Sequence, residues 1–396
     1  MTPLLLPGLI GTQPLGALAA FGLLRVCSLT QVGQVKLGWD LSATPTAVLW
    51  FEQPTQGDDL IGRVILPWLA GRWVCRVFGV GVPGRKEVNS DAEVFGVEAE
   101  GEAASKSDRN RDKAMLWDND IKVSRETFAS ELRQARTAAD RTSRHNADYL
   151  IAYATDAREV KSSSRGLLVA TTSLCMTAGN QAFLKLLREL AYSLDAGGEW
   201  SRPLNEKKTK FARILPSEAF RQALLAEWDF SPKNARDQGF LPLGWDAESY
   251  YVAALRGHAT PDFTPPRAAI WLAAEALPLF PCTAITRGRV QTRGYDMKGD
   301  VFRWPIWRKP LSLRAVQTAL GHPALYEKQI TPAVIHALGL DQVYGSGIIA
   351  LTDYASFRPP TLLADVLGEM AKRHVSSSDP SGSCYAEPIS AIPDVR

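Results

Sequence analysis

The chain has 396 residues, 45% of them hydrophobic and 22% charged, with a formal net charge of +3 and 11 tryptophans. These proportions exclude a wholly disordered chain, and the length fits two domains or one domain with insertions. So small a net charge excludes a uniformly basic surface and leaves any affinity for polyanions to local clusters.

In chain order, no charged side chain precedes Arg25. Pro3, Pro7 and Pro14, with Gly8, Gly11, Gly16 and Gly22, interrupt this stretch, and no basic segment comes before it. It therefore reads as a buried loop and a helix, not a signal peptide or membrane span. The helix opens at Pro14 and is apolar nearly all round, so it belongs in a core or docks against another subunit. Short strands are predicted over 35–39 and 47–51, then a helix over 60–73 bent at Pro67.

From 83 to 120, Gly, Ser, Ala and mixed charges replace the aliphatic residues, the composition of an inserted charged loop. Ser124, Thr127 and Glu131 open a helix predicted to reach about 144, its arginines alternating with acids as on a solvated face. Strands are predicted over 149–154 and 166–171, and helices over 182–194, 217–228 and 267–277. A hairpin is predicted with strands 290–295 and 301–304 around Lys298-Gly299-Asp300, followed by a helix over 311–320. Leu-Gly-Trp-Asp occurs at 37–40 and again at 243–246, but the flanking residues do not align, so the two copies read as two strand ends. The fold class is α+β, mixed helices and short antiparallel strands in two lobes. The N-terminal lobe covers 1–160 with the inserted loop, the C-terminal lobe 161–375, and a mobile tail 376–396.

Sites of chemistry are sparse. Five histidines include no H-x-H or H-E-x-x-H spacing, and there is no G-x-x-x-x-G-K-[ST] loop or G-x-S-x-G elbow. A G-x-G-x-x-G run at 79–84 contains Pro83 and leads into Arg85-Lys86, which unfits it for a dinucleotide. Cys27, Cys75, Cys175, Cys282 and Cys384 are odd in number and lack C-x-x-C spacing, so they read as buried thiols of a reducing cytosol. No catalytic residue, metal ligand or cofactor is expected, with a cryptic metal-dependent nuclease as the alternative.

Between 287 and 309 stand Arg287, Arg289, Arg293, Lys298, Arg303, Arg308 and Lys309, against only Asp296 and Asp300. Residues two apart on a strand share a face, so Arg287, Arg289 and Arg293 are expected to point together and bridge phosphates. Tyr295, Phe302, Trp304 and Trp307 interleave with these cations and could stack bases or wedge a duplex. The competing reading puts the aromatics in the core and leaves the cations merely solvated. A second cluster, Arg202, Lys207, Lys208, Lys210 and Arg213, suits nonspecific backbone contact or plain solubility. Asn180 and Gln181, in the polar turn at 177–181, could offer amides to a phosphate or base edge, or simply cap a helix.

Several segments resemble a known family. The opening Gly11-Thr-Gln-Pro-Leu-Gly-Ala-Leu-Ala-Ala-Phe-Gly-Leu-Leu-Arg25, followed by Trp39, is similar to the start of type I-G (formerly I-U) CRISPR-associated proteins. So are Ala273-Ala-Glu-Ala-Leu-Pro-Leu-Phe-Pro281, Trp304-Pro-Ile-Trp-Arg-Lys-Pro-Leu-Ser-Leu313 and the turn and helix at 179–187. These motifs cover only part of the chain, and neither 83–120 nor the tail has a counterpart.

The resemblance implies a non-catalytic component of a crRNA-guided Cascade complex, large-subunit-like or an extension of the helicase-nuclease. Such large subunits recognise a protospacer-adjacent motif and help open the duplex, while RNA–DNA pairing reads the sequence. Implied partners are crRNA, target DNA, other Cascade subunits and the helicase-nuclease, in the cytoplasm and away from membranes. A protein-only adaptor that recruits the helicase-nuclease is the alternative. No functional residue transfers with the resemblance; the basic candidates come from the sequence alone.

Overall fold

In a computed structural model, the residues described are 1–30, 33–70, 123–137, 141–162, 166–176, 215–228, 243–247, 265–285, 289–350 and 355–369, with Phe183, Leu186, Leu187, Leu190, Ser193 and Leu194. The apolar N-terminus is a strand where a loop was expected. β1 (Thr2–Ile10) is followed by α1 (Pro14–Leu29), β2 (Val35–Asp40) and β3 (Thr46–Phe51). β1 pairs antiparallel with β3, Thr2 opposite Phe51 and Leu6 opposite Ala47, which satisfies the backbone groups on its inner side. Its place at the sheet edge lets Pro3 and Pro7 sit in a strand.

The helix after it is a core element. Every residue of α1 from Pro14 to Cys27 is buried, so the expected docking of this helix on another subunit gives way to packing within the chain. Its main neighbour is a later helix, wholly buried. That helix is α7 (Arg267–Ala276), and before it come α2 (Gly57–Leu60), a π-helical turn (Ile61–Ile65) and α3 (Leu66–Ala70), then α4 (Arg125–Thr137), α5 (Arg141–Tyr153), β4 (Ala154–Ser162), β5 (Gly166–Thr171) and α6 (Pro216–Leu225). A Cβ on Gly22 of α1 would lie 1.7 Å from the Leu272 carbonyl oxygen of α7, so the two helices touch backbone to backbone.

Where a bend was expected at Pro67, a π turn immediately precedes the proline. Proline cannot donate and its ring crowds the carbonyl four residues back, and the Leu66 N–H instead reaches Ile61 five residues away. Ser124 caps α4 as expected, its Oγ accepting from the Thr127 N–H at 3.3 Å. Residues 149–153, expected as strand, are the last turn of α5. Tyr149 and Tyr153, four apart, are both fully buried, which is helical spacing and not alternation. The second Leu-Gly-Trp-Asp is a turn with Leu243 and Gly244 at φ +52° and +80°, whereas the first ends β2.

The rest of the chain builds a hairpin and a second sheet and adds a last strand to the first sheet. β6 (Cys282–Ile285) pairs with β7 (Arg289–Thr292), and β8 (Val301–Ile306) leads to β9 (Leu311–Ser312), α8 (Leu313–Leu320), α9 (Pro332–Ala337), β10 (Gln342–Ala350), β11 (Ala355–Phe357) and β12 (Thr361–Asp365). The hairpin expected between 290–295 and 301–304 forms only at its tip, where the Arg303 N–H donates to the Gly294 carbonyl at 2.6 Å and the Asp296 N–H to the Val301 carbonyl at 2.9 Å. β8 pairs with β10, and the bridge Tyr295–Phe302 links it to the preceding segment. Ser312, expected inside a helix, lies on β9 and caps α8 through the Ala315 N–H.

The first sheet runs β1-β3-β2-β9, so a strand from beyond residue 300 completes a sheet begun at the N-terminus. One hydrophobic cluster extends from Leu6 to Val366, and a boundary at 160/161 would fall inside β4. The α+β class holds; the two halves share a sheet and a core. The inserted segment 83–120 and the tail 376–396 lie outside the described residues. Among the described residues, no helix is long and apolar enough to cross a membrane.

Candidate nucleic-acid interface

The aromatics of 287–309 are inside. Tyr295, Phe302, Trp304 and Trp307 are each 0% exposed. The Trp304 indole N–H donates to the Gly11 carbonyl at 2.7 Å, and that of Trp307 to the Leu37 carbonyl at 2.7 Å. Phe302 lies between Trp304 and Phe357, with ring centroids 5.7 and 5.3 Å away. β8 is covered on both faces, so its side chains cannot alternate between core and solvent. Base stacking by these rings is therefore ruled out in this fold.

The cations divide. Arg303 is 7% exposed, and its guanidinium donates to the carbonyls of Leu325 (2.9 Å) and Glu327 (2.6 Å), with Asp296 at 3.8 Å. Burial lowers its pKa, and Asp296 pulls the other way. Arg303 is a clamp on the segment after α8 and cannot reach a phosphate, contrary to expectation. Arg308 is exposed but pairs with Asp341 at 3.3 Å, which also accepts from its backbone N–H at 2.7 Å.

Arg289, exposed on β7, donates to the Met297 carbonyl at 3.0 Å and so lies over the turn that carries exposed Lys298. Arg293 follows β7 instead of sharing its face. It is half-buried, its guanidinium carbon 3.8 Å from where a Cβ on Gly321 would stand. Arg308 and exposed Lys309 follow the far end of β8, six residues or about 20 Å of strand from the turn. One cluster in sequence is thus two groups in space, Arg289 with Lys298 and Arg308 with Lys309. Arg287, Lys207, Lys208, Lys210, Asn180 and Gln181 lie outside the described residues.

Sequence reasoning missed a buried polar network. Arg25 donates to the Tyr149 hydroxyl at 2.8 Å and lies 3.4 Å from Glu275, and Tyr149 donates to Glu275 at 2.7 Å. Asp148 stands 3.8 Å from the same guanidinium, which also sits 4.8 Å from the Tyr149 ring centre. Burial pushes the Glu275 carboxyl up to about 8, against the opposing pull of Arg25 and Tyr149. Arg25 and Glu275 lie 250 residues apart, beyond any spacing rule.

The thiols of Cys27 and Cys282 are buried and pushed up to about 12 and about 11, which makes them poor nucleophiles. Among the described residues, no group of three or more His, Cys, Asp or Glu is placed to hold a metal ion. The chain matches no protein-family model and no curated protein. The family likeness therefore rests on the short segments alone.

Proposed function

We propose that the chain is a non-catalytic subunit of a crRNA-guided, Cascade-type surveillance complex that holds target DNA by charge. One observation carries the reading: three of the segments that resemble the type I-G family meet in one core. Trp304 of the third segment bonds Gly11 of the first, Phe21 lies parallel to Trp307 at 6.0 Å, and Arg25 pairs with Glu275 of the second. Residues that shape a common core are the ones a shared fold would require. In this reading, Arg289 and Lys298 at one end of β8, and Lys309 at the other, touch phosphates at two points, while Arg308 stays held by Asp341. With the aromatics buried, any contact to a protospacer-adjacent motif from this segment falls to hydrogen bonds from Arg289 or Lys298 to base edges.

The test is the affinity of the purified complex for target DNA across a salt series. Reversing Arg289 and Lys298 together to Glu is expected to weaken binding and flatten the slope of log affinity against log salt by about 2. An unchanged affinity and slope would replace this reading with the protein-only adaptor. The burial of Arg303 and the pairing of Arg308 with Asp341 favour that second reading, because they leave fewer cations free for DNA.

A further inference from the structure

α4 presents Arg125, Ala129, Leu132, Arg133 and Arg136 along one stripe, while Phe128, Glu131 and Ala135 are buried on the other side. Opposite the stripe, the β4–β5 ladder jumps from Thr155–Ala170 to Glu159–Val169, so Asp156, Ala157 and Arg158 bulge from the sheet. Such bulges re-aim side chains and terminate pairing. Arg125 fastens this one to the helix, donating from Nε and a terminal nitrogen to the Asp156 carbonyl at 2.9 and 2.6 Å, with Glu159 3.6 Å away.

Between helix and bulge lies an open groove of about 440 Å³, lined by Ala129, Leu132, Arg133, Arg136, Thr137 and Asp156. That volume suits one small organic ligand. Arg133 and Arg136 are exposed, one helical turn apart, and among the described residues neither has a carboxylate within 4.0 Å. Like charges at this spacing repel along a helix, and an anion between them removes that penalty. Asp156, which also lines the groove, adds a negative charge that disfavours a purely anionic ligand. The site therefore asks for a molecule that is anionic at one end, donates hydrogen bonds at the other and has an apolar middle to lie on Leu132 and Ala129.

We propose that this groove binds a nucleotide unit. Arg133 and Arg136 take the phosphate, Leu132 and Ala129 underlie the base, and Asp156 accepts from a sugar hydroxyl or a base N–H. The unit is either a free nucleotide or one nucleotide of a single strand; the chemistry recognised is the same. The inference does not depend on the cations of residues 289–309.

The test uses the full chain and a fluorescein-labelled oligouridylate followed by anisotropy, with UMP, AMP and inorganic pyrophosphate as competitors. The R133E/R136E pair is expected to weaken oligonucleotide binding at least about tenfold, while R289E/K298E leaves competition by UMP and AMP unchanged. D156N is expected to improve competition by pyrophosphate relative to UMP, because it removes the charge that disfavours a bare polyanion. Competition by mononucleotides marks a free-nucleotide site, and competition by strands alone marks a strand site. Wild-type affinity in R133E/R136E, no binding by the wild-type chain, or unchanged selectivity in D156N overturns the proposal. Should the double reversal lower the melting temperature, R133Q/R136Q makes the same comparison with less perturbation.

Discussion

Glu275, 1% exposed, keeps its proton into a range where an exposed carboxylate has long lost it. Between about pH 4.5 and about 8 the folded chain therefore holds a proton that the unfolded chain has released. Stability falls as pH rises through that window and levels off above it, by an amount on the order of a few kcal/mol. Glu275→Gln should abolish this component of the slope in urea midpoints measured from pH 5 to 8; a slope equal to that of the wild type would show that another group titrates. Cys27 and Cys282 offer a second check at this scale. At pH 7.5 neither should be alkylated by iodoacetamide in the native chain, and both should react after unfolding, as read by mass spectrometry. The burial of these two thiols was legible from their apolar neighbours. The partnership of Arg25 with Glu275 was not: each stands in an apolar helical run that points to burial, but nothing in either run names a partner 250 residues away.

Among the described residues, the crossing of α1 and α7 at Gly22 is the closest approach that any glycine makes. Gly22→Ala would drive a methyl into the Leu272 carbonyl oxygen, so a loss of more than about 3 kcal/mol is expected in denaturant melts. Gly62→Ala is the matched control, since nothing lies within 4 Å of a Cβ there, and it should be neutral or stabilising by up to about 1 kcal/mol. Arg303→Ala should cost about 2–4 kcal/mol by orphaning the carbonyls it holds, whereas Lys298→Ala should fall within about 0.5. Equal effects at Arg303 and Lys298 would contradict the clamp. Elements were legible where periodicity was strong, as in β2, β3 and α7. Tyr149 to Ala154 was misread because a short apolar run fits either a strand or a helix end. The hairpin after residue 289 was legible only at its tip: Lys298-Gly299-Asp300 makes the turn and Tyr295 bridges Phe302, but β7 pairs with β6 and β8 with β10, some 40 residues later.

For the whole molecule, sequence spacing gave no sign that β9 would close a sheet begun by β1, or that Trp304 and Trp307 would be pinned by carbonyls of Gly11 and Leu37. Aromatics interleaved with cations looked like a binding strip, yet long-range packing claimed the rings and one of the arginines. What remains at the surface is two pairs of cations and, elsewhere, an arginine-lined groove. In the proposed reading, both surfaces take phosphates. The decisive measurement is purification of the tagged full chain from its own cells at low ionic strength, followed by sequencing of the RNA that accompanies it. A subunit of a guided complex should bring down partner proteins and RNA of uniform length carrying repeat-derived ends. Recovery of the chain with proteins but no such RNA, or entirely alone, would contradict the assignment.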